Sequence, residues 1–189
     1  MKERRWIYST PDRDAAAGLA RSLRISPVTA QLLLNRGVSS PQHAQGFLRP
    51  DLNGLHDPML FNDMPKVVSR VQKALRENEK IAIFGDYDVD GTSGTAVLFK
   101  LFELLDKPVV YRIPHRVEEG YGLNEGAIRS FAADGVKLLF TVDCGTTNVT
   151  QIELAASLGI DVIVVDHHEP PGRLPPAYAM INPKLSGST

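Results

Sequence analysis

The sequence predicts an α/β fold: a mostly parallel sheet with helices on both faces, preceded by a small helical N-terminal region. Two observations support this prediction. From residue 63 onward, short apolar runs alternate with segments of helical periodicity, which is typical of successive strand–helix–strand units. The apolar runs are continuous, as in Ile81 to Phe84, so both faces of the sheet should be covered. We therefore expect a helical lead-in over residues 1–62 and an α/β domain over residues 63–189.

The lead-in should contain short helices separated by breaks. Ser26-Pro27 and Ser40-Pro41 each predict a helix start, because proline is favoured at the first helical position behind a serine cap. Gly37 should end the first of these helices, and the second should end near Pro50. Residues 51–63 should form a loop.

The α/β domain should begin with a helix capped by Asp63, with Val67, Val71 and Ala74 on its apolar face. Strands and helices then alternate. The predicted strands cover residues 80–84, 109–113, 137–142, 161–165 and 178–181. The predicted helices between them cover residues 92–105, 124–133 and 147–158. In such a sheet, ligands bind at the carboxyl ends of the strands.

Composition is that of an ordinary soluble globular protein. The 189 residues are 43% hydrophobic and 23% charged, which is enough to bury a core. No apolar run approaches the roughly 20 residues that span a bilayer, so we expect no membrane partner and no secretory signal. The single cysteine excludes an internal disulfide and favours a reducing, cytoplasmic location.

Charge is unevenly distributed along the chain. Residues 1–50 carry eight Lys or Arg and three Asp or Glu, a net of +5, whereas residues 51–189 carry thirteen and nineteen, a net of −6. The basic segment is either a solvated helical surface or a contact for a polyanion. The chain ends in the turn-like INPKLSGST, so we expect a piece of a longer protein.

Acidic and metal-binding residues follow three of the predicted strands. In chain order they are Asp86, Asp88, Asp90, Asp143, Asp166, His167 and His168. Because parallel strands end at one edge of the sheet, these side chains should converge. Carboxylates packed so closely repel one another unless a cation neutralises them, and such oxygen-rich ligand sets suit Mg²⁺ or Mn²⁺. The sequence therefore predicts a metal site, for two ions.

Competing motifs fit poorly. Asp-x-Asp-x-Asp-Gly matches the start of a calcium-binding EF-hand loop, but Val97 stands at the twelfth position and a strand precedes the loop. GDYDVDGTSG lacks the lysine of a P-loop, and its acids would repel the pyrophosphate of a dinucleotide. Cys144 is more simply a buried filler than a nucleophile, because the sequence ties no base to it.

Several candidate residues keep simpler interpretations. Asp86 could serve only as a turn former, and Asp143 only as a cap for the following helix. His167-His168 could be surface residues after a strand. His115-Arg116 follow the second strand, where they would either reach an anionic substrate or belong to a solvated loop.

The motifs also resemble a known family. Asp-x-Asp-x-Asp-Gly, VDCGT and DHH, in this order, resemble the DHH phosphoesterase superfamily. Within it, FGDYDVDGTSGTA, IPHRVEEGYGLN, VDCGTTN and VVDHHEP resemble the RecJ single-strand-specific 5′→3′ exonucleases over residues 80–183. The preceding LLLNRGVSSPQHAQGFL and LHDPMLFNDM resemble the lead-in of that family. This implies that residues 63–189 form a DHH catalytic domain truncated at its C-terminus, because family members add a further metal-binding aspartate and a second domain.

The resemblance implies a role for each candidate residue. The implied metal ligands are Asp88, Asp90, Asp143 and His167. The implied catalytic residues are Asp86, which supports or bridges the site, Asp166, which orients the histidines, and His168, which contacts the scissile phosphate. The implied substrate-binding residues are His115, Arg116, Tyr121 and Gly122.

The expected function is hydrolysis of single-stranded DNA by a two-metal mechanism, in DNA repair and recombination. The residues by themselves support metal-dependent phosphoester chemistry, whereas single-stranded DNA as substrate, exonucleolytic action, 5′→3′ polarity and helicase or single-strand-binding protein partners follow from the resemblance alone. Two Mn²⁺ or Mg²⁺ ions are expected, with one shell incomplete in this piece, which alone should cleave little. The alternatives are a small-substrate DHH phosphoesterase, such as a pyrophosphatase or short-oligonucleotide phosphatase, and a catalytically inactive nucleic-acid-binding scaffold.

Overall fold

The structure is a computed structural model that describes residues 10–185. The chain divides into two compact units, Met1–His56 and Asp57–Thr189. The domain boundary expected after residue 62 stays a prediction. Part of the predicted basic segment, residues 1–9, and the end of the predicted tail, residues 186–189, lie outside the described residues. None of the described helices is both long enough and apolar enough to cross a membrane.

The first unit contains three short helices. They are α1 Arg13–Leu23, α2 Pro27–Leu34 and α3 Pro41–Leu48, followed by a 3₁₀ turn at Leu52–Gly54. Both predicted starts are confirmed, because the Ser26 and Ser40 hydroxyls accept hydrogen bonds from backbone N–H groups three residues on. The sequence signals did not single out α1. Its buried residues, Ala16, Leu19 and Ala20, follow helical spacing, so the signal was present in the sequence.

The second unit alternates helices and strands as predicted. Its elements are a 3₁₀ turn Pro58–Leu60, α4 Met64–Arg76, β1 Lys80–Gly85, α5 Val89–Leu104, β2 Val109–Arg112, α6 Glu125–Ala133, β3 Val136–Val142, α7 Val149–Ser157, β4 Asp161–Val165 and β5 Ala179–Ile181. The strands form one five-stranded sheet in the order β2-β1-β3-β4-β5, and every pairing is parallel. The predicted fold class is confirmed.

The strand order creates a topological switch at β1. The chain passes from β1 to β2 on one side, then returns to place β3 on the other side of β1. Loops that follow β1 and β3 therefore diverge from adjacent strands, and the crevice between them is where open α/β sheets bind ligands.

Helices cover both faces of the sheet, as the continuous apolar runs predict. On one face, α6 and α7 bury residues such as Ile128 and Ile152 against Phe84 and Val164 of the strands. On the other face, residues of α4 and α5 pack against alternate strand positions, which include Ile83. The sheet is thus a buried, two-sided platform, and its strand ends hold the site in place.

A buried arginine joins α4 to the sheet. Arg70 is only 4% exposed, yet it donates to Asp161 at 2.6 Å, to Glu79 at 2.6 Å and to the Lys137 carbonyl at 3.2 Å. A buried charge is tolerated only when it is paired in this way. These bonds fix α4 against the beginnings of β3 and β4.

Two predicted details are wrong. Asp63 occupies the N-cap position of α4 but makes no side-chain cap bond there, because its Oδ2 accepts from the Met180 N–H of β5 at 2.8 Å. The helix predicted from residue 92 instead begins at Val89. Asp88 is its cap and accepts a hydrogen bond from Gly91 N–H at 3.0 Å.

We predict that Gly91→Ala destabilises the second unit. A Cβ on Gly91 would lie 2.5 Å from the Asp86 carbonyl oxygen and 2.6 Å from its nitrogen, so backbone must move. Such overpacking costs about 2 kcal/mol of unfolding free energy. Gly126→Ala is the matched control, because its Cβ would meet nothing closer than 3.5 Å and alanine favours a helix. Urea denaturation of both variants checks this, and equal stability would contradict the close approach of α5.

Candidate active site

Four predicted residues after β1, β3 and β4 converge with Asp86 at the switch point. One group, Asp86, Asp88 and Asp143, has potential ligand atoms within 4.8 Å of one another. A second group, Asp143, His167 and His168, meets the same limit. Asp143 belongs to both groups, so one carboxylate lies between two potential cation sites. The predicted convergence at this edge is therefore present in the fold.

Asp143 occupies a strained position. Its φ is 60°, in the left-handed region that residues other than glycine rarely adopt, and it is 7% exposed. Backbone strain of this kind costs about 1–3 kcal/mol and is concentrated at functional sites. The conformation follows directly on β3, where Asp143 N–H donates to the Val165 carbonyl at 2.9 Å. It is not the cap of α7, whose N-cap residue is Asn148.

The carboxyl groups at this point perturb one another. Burial, followed by the neighbouring Asp88 carboxylate, raises the pKa of Asp143. Burial also raises the pKa of Asp86. The pKa of Asp88 is lowered, first by the hydrogen bond from Gly91 N–H. Without a cation, some of these carboxyl groups must therefore bind protons, which removes part of the negative charge of the cluster.

The donor set fits a divalent cation. Asp86 Oδ1 and Asp143 Oδ1 are buried and have no hydrogen-bond donor among the described residues. His167 Nε2 lies 3.0 Å from Asp143 Oδ1, but not in hydrogen-bond geometry. Buried carboxylate oxygens without donors are costly, and a bound cation would satisfy them. Carboxylate oxygens at this density suit Mn²⁺ or Mg²⁺.

Asp90 stands apart from both groups. It lies in the first turn of α5, where it is exposed, and among the described residues neither potential cation site includes it. It does line an open cleft of about 610 Å³ together with Asp143, Asp166 and His167. Its assignment as a metal ligand stays a prediction.

Asp166 organises the histidine pair. Its side chain is 1% exposed and accepts from the N–H groups of Thr146, His167 and His168 at 2.7 to 3.1 Å. It also accepts a hydrogen bond from His168 Nδ1 at 2.7 Å. Nε2 is therefore the ring nitrogen that does not face this carboxylate. Burial opposes ionisation, but the bonds from Thr146 and His168 outweigh it and lower the pKa of Asp166 to about 2. The same bond raises the pKa of His168.

Two further side chains support this arrangement. Asn182 follows β5 and donates through Nδ2 to Thr146 Oγ1 at 3.0 Å and to the His168 carbonyl at 2.9 Å. The Tyr121 hydroxyl lies 3.2 Å from His168 Nδ1 and 3.3 Å from the Asp143 carbonyl. Thr146 and Asn182 were not predicted. Asn182 directly follows β5, and Thr146 lies four residues after the end of β3; these positions are the only sequence signal.

Cys144 is a core residue. It is fully buried, and this burial raises the pKa of its thiol, so the protonated form persists. Its side chain packs with the apolar cluster on the α6 and α7 face. Its interpretation as a filler is confirmed.

The loop after β2 carries the predicted substrate-binding residues, and Glu119 shapes it. Glu119 accepts from Arg112 at 2.5 Å, from His115 N–H at 2.8 Å and from Asn124 at 3.2 Å. The hydrogen bond from His115 is the largest cause that lowers the pKa of Glu119. Sequence reasoning missed this residue, because an acid inside an RVEEG stretch looks like ordinary surface charge.

The predicted substrate-binding residues take different places in that loop. Arg116 is exposed, whereas Tyr121 reaches the histidines. The recorded hydrogen bonds of His115 stay within the loop, with Glu118 and Glu119. Gly122 has φ +84°, and a Cβ there would press on the Asn148 side chain. Their binding roles stay predictions.

Comparison with known proteins gives one family and several long relatives. Residues 80–189 match the family described as DHH family, N-terminal domain. The single-stranded-DNA-specific exonuclease RecJ of Bacillus subtilis is 40% identical over 185 residues, which are 98% of this chain and 24% of that protein. The chain spans about a quarter of the length of the curated relatives it matches.

Two solved structures share the fold. A crystal structure of exonuclease RecJ bound to manganese has a TM-score of 0.64 and 34% identity, over 70% of this chain and 34% of that one. RecJ from Thermus thermophilus in complex with Mn²⁺ has a TM-score of 0.66 and 27% identity, over 93% of this chain and 24% of that one.

We predict that Asp166→Asn costs about 3 kcal/mol of unfolding free energy. The asparagine amide cannot accept every bond that the carboxylate accepts, so buried donors lose their partner. Glu169→Gln is the control, because Glu169 is 82% exposed and its pair with Lys184 should contribute little. Denaturant titration at pH 7 measures both.

The same carboxylate gives a pH dependence. The folded-state pKa of Asp166, about 2, lies below the ordinary value of 3.8. The contribution of this carboxylate to the free energy of unfolding is therefore complete above about pH 4 and is lost as pH falls toward 2. A loss of stability for Asp166→Asn that persists undiminished at pH 2 would contradict this origin.

We predict that Glu119→Ala loosens residues 113–124 without unfolding the sheet. The change removes the acceptor shared by Arg112, His115 and Asn124. Amide hydrogen exchange in that segment should accelerate, while β1 and β3 keep their protection. Glu118→Ala is the control, because its side chain is 78% exposed and should leave exchange unchanged. Equal exchange in the two variants would show that Glu119 does not order the loop.

Proposed function

This chain belongs to the DHH family, and we propose that it carries the catalytic centre of a metal-dependent phosphodiesterase that degrades single-stranded DNA from the 5′ end. The observation that carries the proposal is the pair of potential ligand groups that share Asp143. A carboxylate common to two cation sites is the arrangement that two-metal phosphoester hydrolysis needs.

The proposal assigns the cation ligands to this edge of the sheet. Asp88 and Asp143, with Asp86 as a supporting or bridging group, would hold one ion, and Asp143 with His167 would face the other. Asp90 is kept as a ligand in the proposal, since it opens onto the same cleft. Two bound Mn²⁺ or Mg²⁺ ions would supply an activated water and neutralise charge on the phosphate and the leaving oxygen.

Side chains of this chain also orient the group that would contact the phosphate, His168. Asp166 holds His168 by its Nδ1, which fixes the ring and directs Nε2 to the proposed phosphate contact. The Tyr121 ring packs edge-on against that imidazole, with its hydroxyl 3.2 Å from the same Nδ1. No side-chain nucleophile is required, in agreement with the buried, protonated Cys144.

The proposed substrate is inferred from the relatives and from the loop after β2. The relatives are named as single-stranded-DNA-specific exonucleases. In our proposal, His115, Arg116, Tyr121 and Gly122 face the DNA strand. Roles in DNA repair and recombination and cooperation with a helicase or single-strand-binding protein, which rest on the family resemblance, and a cytoplasmic location, which rests on the single cysteine, complete the proposal.

We predict that Asp88→Asn abolishes cleavage but keeps the fold. Asparagine can still cap α5 by accepting from Gly91 N–H, yet it loses the charge that a cation requires. In the full-length natural protein, Mn²⁺-dependent release of nucleotides from single-stranded DNA should fall by more than about 100-fold. The rise in melting temperature on addition of Mn²⁺ should shrink as well.

Asp106→Asn is the matched control. Asp106 follows the other end of α5 with φ 52°, a conformation that asparagine tolerates, so only a remote charge is lost. It should behave as wild type. Near-normal turnover of Asp88→Asn would refute the ligand assignment. Preference of the wild type for pyrophosphate or dinucleotides would favour the small-substrate alternative, and DNA binding without cleavage would favour the scaffold.

A further inference from the structure

The turn after β1 sends neighbouring side chains to both adjacent strands. Asp86 and Asp88 point to Asp143, which follows β3 on one side of β1. Tyr87 lies between them, and its ring meets Arg116, which follows β2 on the other side. The spacing of two in Asp-Tyr-Asp therefore separates the carboxylates from the aromatic ring.

The contact between Tyr87 and Arg116 has cation–π geometry. The guanidinium carbon of Arg116 lies 5.1 Å from the centroid of the Tyr87 ring. Within residues 10–185, no acidic side chain forms a salt bridge with Arg116, although nearby Arg112 is paired with Glu119. An aromatic ring that covers one face of a guanidinium leaves the N–H edge available, and that edge matches a phosphate.

Arg116 is also held near the carboxylate cluster, because the Tyr87 ring that it covers belongs to the residue between Asp86 and the next position of the turn, Asp88. The loop that carries Arg116 is fixed at its base by Glu119, but the Arg116 side chain itself is exposed. The Tyr87 ring is thus the group that restricts the head of this side chain.

We propose that Tyr87 is a positioning residue, whose ring holds the Arg116 guanidinium beside the carboxylate cluster with its N–H edge open to a phosphate of the DNA strand. This inference rests on the proposed function. It adds a residue that ties the metal-binding turn to the substrate-binding loop. Tyr87 acts through Arg116 and does not itself contact the reacting atoms.

A double-mutant cycle in the full-length natural protein tests the coupling. Tyr87→Leu should raise KM for single-stranded DNA about twofold to fivefold and keep kcat within about twofold, as expected for loss of an exposed cation–π contact. Arg116→Ala should raise KM by about tenfold or more. The double variant should match Arg116→Ala alone, because the ring acts only through the arginine.

Three comparisons separate positioning from general disruption. Tyr87→Phe keeps the ring and should restore KM to near the wild-type value. Tyr111→Leu removes another exposed tyrosine, whose aromatic partner is Phe99, and should leave KM unchanged. The Mn²⁺ concentration for half-maximal activity should stay the same in Tyr87→Leu. A marked increase would mean that Tyr87 acts through the carboxylates, which overturns the proposal.

A readout independent of catalysis keeps the two proposals distinguishable. Phenylglyoxal labelling of Arg116, followed by peptide mass spectrometry, should be at least about twofold faster in Tyr87→Leu than in wild type or Tyr87→Phe, because the ring no longer covers one face of the guanidinium. An unchanged labelling rate, or additive KM effects in the cycle, overturns the role of Tyr87. Failure of the wild type to cleave DNA overturns the proposed function and leaves the labelling result readable.

Discussion

The buried Asp166 carboxylate holds the loops after three neighbouring strands in one arrangement. It accepts from Thr146 after β3 and from both the backbone and ring of His168 after β4. Asn182 after β5 then bridges these partners by donating to the Thr146 hydroxyl and the His168 carbonyl. Since the strands themselves fix only their own ends, this network is what sets the direction of the loops. A charged acceptor is suited to it, because bonds to an ionised group are the stronger ones.

The opposite side of the site is organised by strain and not by satisfied bonds. Asp143 combines a left-handed backbone, which is sterically strained, with burial and a carboxylate neighbour, which are unfavourable without a cation. The buried Oδ1 atoms of Asp86 and Asp143, which have no hydrogen-bond donor among the described residues, add a desolvation cost. The well-bonded Asp166 network and the two-sided core provide the stability that tolerates such a site, as expected where function and stability compete.

The sequence was sufficient for the fold and for the convergence of the strand ends, because continuous apolar runs and acids directly after them report backbone position. The sequence was insufficient to predict hydrogen bonds between a side chain and a partner that is distant along the chain. Asp63 looks like a helix cap but bonds Met180, 117 residues away. Asp88 and Asp90 are equally good caps by type, and only the contact of Gly91 with the preceding backbone decides that the helix begins after Asp88. The neutral partners Thr146 and Asn182 carry no signal beyond their positions after β3 and β5.

The place of β1 in the sheet explains why one short turn carries so much of the site. Among the strands of the described sheet that have two neighbours, it is the only one whose neighbours, β2 and β3, both follow it in the chain, one on each side. A turn there can contact the loops of both, and alternate side chains do so, with Asp88 near Asp143 and Tyr87 under Arg116. In our proposals, cation binding and substrate binding are thus served from opposite sides of the same strand.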